Sequence, residues 1–175
     1  MGGRRSAVIA AVPDAAGAAH PWLERTCRVK PSQGIPAHVT ILFPFLPPAA
    51  IDDRLVDDLR ALFGRFEPFS FQLCEPRRFP EVLYLAPDPP EPFVQLAEAL
   101  VTAYPQHPPY EGAFDSIVPH LTVAEGATEV LDAAEADVRS SLPISVELRE
   151  LELIAEQKPH GAWQRVARIP LGREG

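Results

Sequence analysis

The sequence predicts an α/β chain built from two similar lobes. Two observations carry that prediction. One is an internal echo between Ile35-Pro36-Ala37-His38-Val39-Thr40-Ile41 and Ile117-Val118-Pro119-His120-Leu121-Thr122-Val123. Both segments set Ile, His, an apolar residue, Thr and a β-branched residue at equal offsets, with a proline just before the His. The other is the order of hydrophobic patterns. In each half a helical pattern follows the His segment, and an alternating pattern follows the helix.

The elements follow in order. Ala7 to Val12 is a short apolar run ended by Pro13-Asp14, which reads as a first buried strand. Arg4 and Arg5 before it lend a superficial likeness to a secretion signal, but the run sits at the bottom of the range for such a segment. Gly2 followed by Ser6 fits a loose myristoylation pattern that chance often produces. A helix is expected near 15–28, then the first His strand. Ile51, Leu55, Leu59, Leu62 and Phe63 recur at helical spacing. Pro68 to Leu73 alternates as a half-buried strand, Pro76 to Pro80 is expected to turn, and Val82 to Leu85 forms the next strand.

Phe93, Leu96, Ala97, Leu100, Val101 and Tyr104 write a second helix, and a loop from Pro105 to Pro109 leads to the second His strand. Thr128-Glu129 is expected to cap a helix that buries Val130, Ala134 and Val138. Pro143 to Leu148 echoes Pro68 to Leu73, and Gln157 to Gly161 turns into a last strand from Trp163 to Ile169. The period is too long for a solenoid. With no low-complexity linker, residues 1–175 are expected to form one domain, its lobes built around 38–40 and 120–122. The duplication suggests a pseudo-two-fold with the His strands near its axis.

Composition bounds the function. The chain has 175 residues, 46% hydrophobic and 23% charged, as in ordinary soluble proteins. Its 21 prolines exceed the usual ~5% and are spread along the chain, so they punctuate a fold. The formal net charge of −8 argues against wrapping a long nucleic acid, which needs a broad cationic surface. A small anionic substrate in a local pocket remains open. Cys27 and Cys74 are far apart and read as free thiols of a reducing compartment. No stretch approaches the ~20 apolar residues of a spanning helix, and a cytoplasmic setting is expected.

The chemistry lies in the two His-x-Thr segments. Successive strand side chains point to opposite faces, so His38 shares a face with Thr40, and His120 with Thr122. Val39 and Ile41, like Leu121 and Val123, face the other way. Two imidazoles at one centre make a general acid and a general base near neutral pH. Two hydroxyls can donate to phosphoryl oxygens as charge builds there. The set suits attack on a phosphodiester without a metal. One His-x-Thr in a strand is a weak signal; two, at matching points of a duplication, are not explained by packing.

These motifs resemble those of the 2H phosphoesterase superfamily, and most closely its bacterial 2′-5′ RNA ligase-like and RNA 2′,3′-cyclic phosphodiesterase members. The similarity is densest from Ile35 to Pro48 and at Pro119 to Val123, and extends over residues 6–172. It implies a bilobal fold of two antiparallel sheets flanking a central cleft, with helices outside. The implied activity is metal- and cofactor-free opening of a 2′,3′-cyclic phosphate on a nucleotide or RNA end. His38 and His120 carry over as acid and base, and Thr40 and Thr122 as phosphate binders.

Further residues are candidates for substrate contact. Arg77, Arg78 and Lys158 are expected in hairpin turns at the cleft mouth. Phe45, Tyr84 and Trp163 could stack on a base, with packing in the core as the alternative for each. Phe43 falls on the Val39 face by alternation and is expected in the core. His20, His107 and His160 are expected to be exposed. No phosphate-binding glycine loop, nucleophile elbow, His-Glu-x-x-His or Cys-x-x-Cys is present. The rival functions are a ligase-like or RNA-end-binding protein and a non-catalytic nucleotide sensor with the same cleft. Membrane partners are not expected.

Overall fold

The computed structural model describes residues 3–15, 22, 34–112 and 116–172. The strands are β1 (Ser6–Ala11), β2 (His38–Leu42), β3 (Phe69–Phe79), β4 (Val82–Asp88), β5 (Leu121–Glu125), β6 (Ile144–Leu148), β7 (Glu150–Glu156) and β8 (Trp163–Pro170). All pair antiparallel, in the order β6-β3-β4-β5-β2-β1-β7-β8. The two expected sheets are the halves of this one sheet. They meet at the centre through β2 and β5, at the pair Val39 and Leu121.

Among the described residues, α1 (Asp53–Phe63), α2 (Glu91–Ala103) and α3 (Thr128–Arg139) flank the sheet. The α1 helix starts at Asp52, whose carboxylate accepts the Leu55 N–H at 2.8 Å, satisfying one of the first-turn donors. Its Leu55, Leu59 and Phe63 are buried, each worth roughly 1.5–3 kcal/mol. The α2 helix buries Phe93, Leu96, Ala97 and Leu100, and Phe93 meets Phe71 edge-on at 4.8 Å. In α3 the cap position falls on Ala127, which makes no side-chain cap bond, and Thr128 is already helical. Its inward residues are Leu131, Ala134 and Val138 rather than Val130. The α1 helix lies against β8, α2 against β2, and α3 against β5, β3 and β4.

Several expectations are corrected. The strand β7 lacks a sequence signal because nearly every residue, Leu151 to Glu156, is buried. It lies between β1 and β8 with both faces covered, so it shows no alternation. The strand β3 runs on to Phe79 through the stretch expected to turn. A bulge at Cys74 absorbs one residue, and the turn falls at Pro80-Glu81 instead. The echoed segments at 69–73 and 144–148 are ladder neighbours rather than symmetry mates. The sheet order matches β1 with β4, β2 with β5, and β3 with β7. Apart from Ala15 and Trp22, the helix expected at 15–28 lies outside the described residues, as do Cys27 and His20.

The main core lies on one face of the sheet, with Val8, Ala10, Val39, Leu121, Leu151 and Leu153 under the helices. The opposite face of one half carries a smaller cluster of Ala7, Ile9, Ile35, Ile154 and Trp163, joined by Phe43. Gly34 passes so close to the Trp163 carbonyl that an added Cβ would clash with its oxygen, and its φ of +87° also favours glycine.

Candidate functional site

His38 opens β2, and His120 directly precedes β5. Both histidines and both motif threonines are half-buried, whereas Val39, Ile41, Leu121 and Val123 are buried. The His38 Nδ1 lies 2.8 Å from the Pro36 carbonyl oxygen, and the His120 Nδ1 lies 2.7 Å from that of Val118. A carbonyl only accepts, so each Nδ1 carries the proton and donates it. Each Nε2 is then the nitrogen left for chemistry, and each ring is held by the chain two residues back.

The same irregularity comes after both motifs. Val8 pairs with Leu42 and Ile9 with Thr40, which leaves Ile41 as an extra residue. Leu83 pairs with Ala124 and Tyr84 with Thr122, which leaves Val123 extra. Each central strand thus bulges directly after its threonine. A bulge bends a strand and re-aims the side chains beyond it. In the first half it breaks the alternation on which Phe43 was expected in the main core. Phe43 instead joins the small cluster, 6.3 Å from the Trp163 ring, with the Arg5 guanidinium 5.4 Å over its face.

The surroundings of the two histidines differ. His120 meets the edges of a stacked pair, Phe79 at 5.3 Å and Tyr84 at 5.6 Å, whose own rings are 4.3 Å apart. His38 belongs to the half that carries the buried Glu152, whose Oε1 accepts from Arg165 at 3.1 Å. The His38 imidazole titrates below the ordinary histidine value. Burial is the main cause; the Pro36 carbonyl opposes it, the charge of His120 adds to it, and Glu152 opposes it. The two imidazoles are thus near enough to repel when both are charged.

Two cavities open beside the motifs. One, of about 440 Å³, lies between Thr40 to Phe43, α2 at Glu98 and Val101, and the segment at Ser116 to Val118. The other, of about 490 Å³, is lined by Arg77, Tyr84, Cys74, Asp88 and Ile117 to Pro119. Ile117 and Val118 form a wall common to both. Both volumes fall in the range of small-molecule sites.

The remaining candidates separate. Tyr84 stands beside His120, and Arg77 pairs with Tyr84 on the neighbouring strand. Arg78 is committed elsewhere: its guanidinium donates to Asp132 at 2.7 Å and to Glu135 at 2.7 and 3.1 Å, tying β3 to α3. Neither arginine lies in a turn. Phe45 is buried in the main core against Tyr104 and His107, because its N–H donates to the Ser6 carbonyl at 2.9 Å. His107 is therefore half-buried, not exposed. Trp163 is 5% exposed and packs in the small cluster. Lys158 is exposed in the β7–β8 turn, beyond the Ser6 end of β1, whereas His38 pairs at the Ala11 end. Along the strand that is more than 15 Å at about 3.4 Å per residue.

Phe79 and Glu152 carried no such expectation from sequence. Glu152 had a readable signal, a carboxylate inside the apolar run Leu151 to Ala155. Phe79 had none, since it was assigned to a turn. Among the described residues no group of three or more His, Cys, Asp or Glu is placed to hold a metal ion. Among them, too, no helix is long and apolar enough to cross a membrane.

The fold has solved counterparts. Escherichia coli LigT complexed with 3′-AMP is 18% identical, with a TM-score of 0.61 over 97% of this chain and 99% of that one. The same protein complexed with NADP+ is 20% identical, with a TM-score of 0.59 over 99% and 100%. TT0787 of Thermus thermophilus is 23% identical, with a TM-score of 0.62 over 97% and 100%. Comparison with curated proteins gives no significant match. The family profile of the 2′-5′ RNA ligase superfamily matches residues 12–160, a span that contains both His-x-Thr motifs. This chain therefore belongs to the 2′-5′ RNA ligase superfamily, the 2H phosphoesterase group that its paired motifs resemble.

Proposed function

We propose that the protein is a metal-independent phosphodiesterase that opens a 2′,3′-cyclic phosphate on a nucleotide or RNA end. The observation that carries this reading is the matched pair of motifs. Two imidazoles, each with Nδ1 bound to a backbone carbonyl, sit beside two threonines on the two central strands. A family whose members act on nucleotide phosphoesters supports it, as does the LigT structure holding 3′-AMP, a monoester of the kind this reaction releases.

The step balances with water alone. The Nε2 of one neutral histidine takes a proton from water as its oxygen bonds to phosphorus. The bond from phosphorus to one ribose oxygen breaks, and the second, protonated histidine gives its Nε2 proton to that oxygen. The Thr40 and Thr122 hydroxyls donate to the non-bridging oxygens, where negative charge grows. Release of a monoester leaves the two histidines with exchanged protonation, which solvent resets.

Phosphorus NMR of the protein with 2′,3′-cyclic nucleotides in EDTA tests the reading. A monoester signal should grow with the unmodified protein and not with the His38→Ala/His120→Ala double variant. A folded protein that leaves every cyclic nucleotide intact would sink the proposal.

A further inference from the structure

The duplicated sheet allows its halves to be compared row by row. In one half Thr122 pairs with Tyr84, and Tyr84 with Arg77. In the other Thr40 pairs with Ile9, and Ile9 with Glu152. Directly paired residues of antiparallel strands put their side chains on one face. Arg77 and Glu152 therefore hold equivalent places, each two strands out from a motif threonine, with opposite charges. Two strand spacings put each about 10 Å from that threonine.

We propose that this difference sets the direction in which the substrate lies: Arg77 binds the phosphate one nucleotide upstream of the cyclic end, and the substrate is an oligonucleotide end rather than a free cyclic mononucleotide. The inference rests on the cyclic-phosphate reading above. Arg77 lines the cavity of about 490 Å³ together with Tyr84 and Ile117 to Pro119, the residues that lead into His120. Tyr84 is buried, 6% exposed, and stacks on the half-buried Phe79 ring, which gives a nucleoside an apolar surface beside His120.

The charges around the two positions agree with this direction. The Arg77 contact to Glu75 is long, 3.6 Å between exposed side chains, and such pairs are weak. It leaves guanidinium donors for a phosphate, which an arginine can hold through two parallel bonds. Glu75 and Asp88 line the same cavity and repel an anion, so phosphate binding there depends on Arg77, the one cation among the described residues of the lining. In the opposite half the cation nearest the equivalent place, Arg165, is bound to Glu152, and the carboxylate itself repels a phosphate.

The test compares kcat/KM for a 2′,3′-cyclic mononucleotide and for a dinucleotide with the same cyclic end, in the unmodified protein and in Arg77→Gln. The dinucleotide should be preferred about tenfold, mainly through KM, and the preference should shrink with added salt. Arg77→Gln should abolish that preference, and Arg77→Lys should restore part of it. A preference unchanged in Arg77→Gln, or absent from the unmodified protein, overturns the proposal. If neither substrate turns over, the cyclic-phosphate reading fails. Arg77 is then judged by calorimetry with 3′-phosphorylated mono- and dinucleotides: tighter dinucleotide binding lost in Arg77→Gln supports it, and equal affinities refute it.

Discussion

Val39 pairs with Leu121, and among the described residues this is the one backbone pair that joins the two halves of the sheet. Both side chains are fully buried under the helices. Each of the four polar motif residues is an immediate neighbour of this pair. The antiparallel register sets His38 toward Thr122, and Thr40 toward His120, on the face opposite the core. One apolar contact between the lobes thus brings two acids or bases and two hydroxyls to one place.

Each histidine should be indispensable. His38→Ala and His120→Ala are expected to lower kcat by about 10²–10⁴, the worth of a positioned proton-transfer group. Thr40→Val and Thr122→Val should each lower kcat by about 10²–10³ with a smaller change in KM, because their hydroxyls meet charge that grows in the transition state. Steady-state kinetics, with circular dichroism to confirm folding, checks both sets. Full activity in either histidine variant would remove the paired mechanism.

The rate should rise and then fall with pH, since one imidazole must be neutral and the other protonated. The stability of the fold should also depend on His38. The unfolded chain binds its proton near 6.5, and the native chain only at a lower pH. The favourable contribution of the neutral ring is therefore complete above about pH 6.5 and is lost as pH falls through the lowered native value. Thermal melts between pH 4 and 8 should show this loss, and His38→Asn should weaken it. Proton NMR should place the His38 midpoint below that of an exposed histidine.

Phe45 should behave as a core residue. Phe45→Ala is expected to cost about 3–5 kcal/mol of stability, measured by urea unfolding, by opening a hole against Tyr104 and His107. The KM of the folded fraction should not change. A large rise in KM with normal stability would return Phe45 to the substrate site.

Glu156 is 1% exposed, and its Oε1 accepts from the Arg5 guanidinium at 2.6 and 3.1 Å. Burial alone would raise its titration, but the Arg5 side chain, the Arg5 N–H and the Arg5 charge together hold it below the usual glutamate value. Its contribution to stability is present above the unfolded value of about 4.5 and is lost as pH falls through the native one. Arg5→Ala should reverse the direction of the shift and cost about 2–3 kcal/mol. That is less than for a fully buried pair, because Arg5 is more than one-third exposed and solvent screens its charge. Chemical denaturation at pH 7 and pH 4 measures both effects.

The α/β class, the helices α1 and α2, and the four motif residues are all legible in the sequence. These are local matters: periodicity writes an amphipathic helix, and His-x-Thr repeated at matching points of a duplication marks a shared face. Which strands become neighbours is settled only in the folded chain. That choice buried β7 on both sides and so erased its alternation. It paired the two echoed segments with each other and sent Arg78 to α3 while leaving Arg77 beside Tyr84. It also placed a bulge after each motif threonine, and the one at Ile41 took Phe43 out of the main core and into the small cluster. A bulge is set by the partner strand's register, and nothing in the residues of one strand records it.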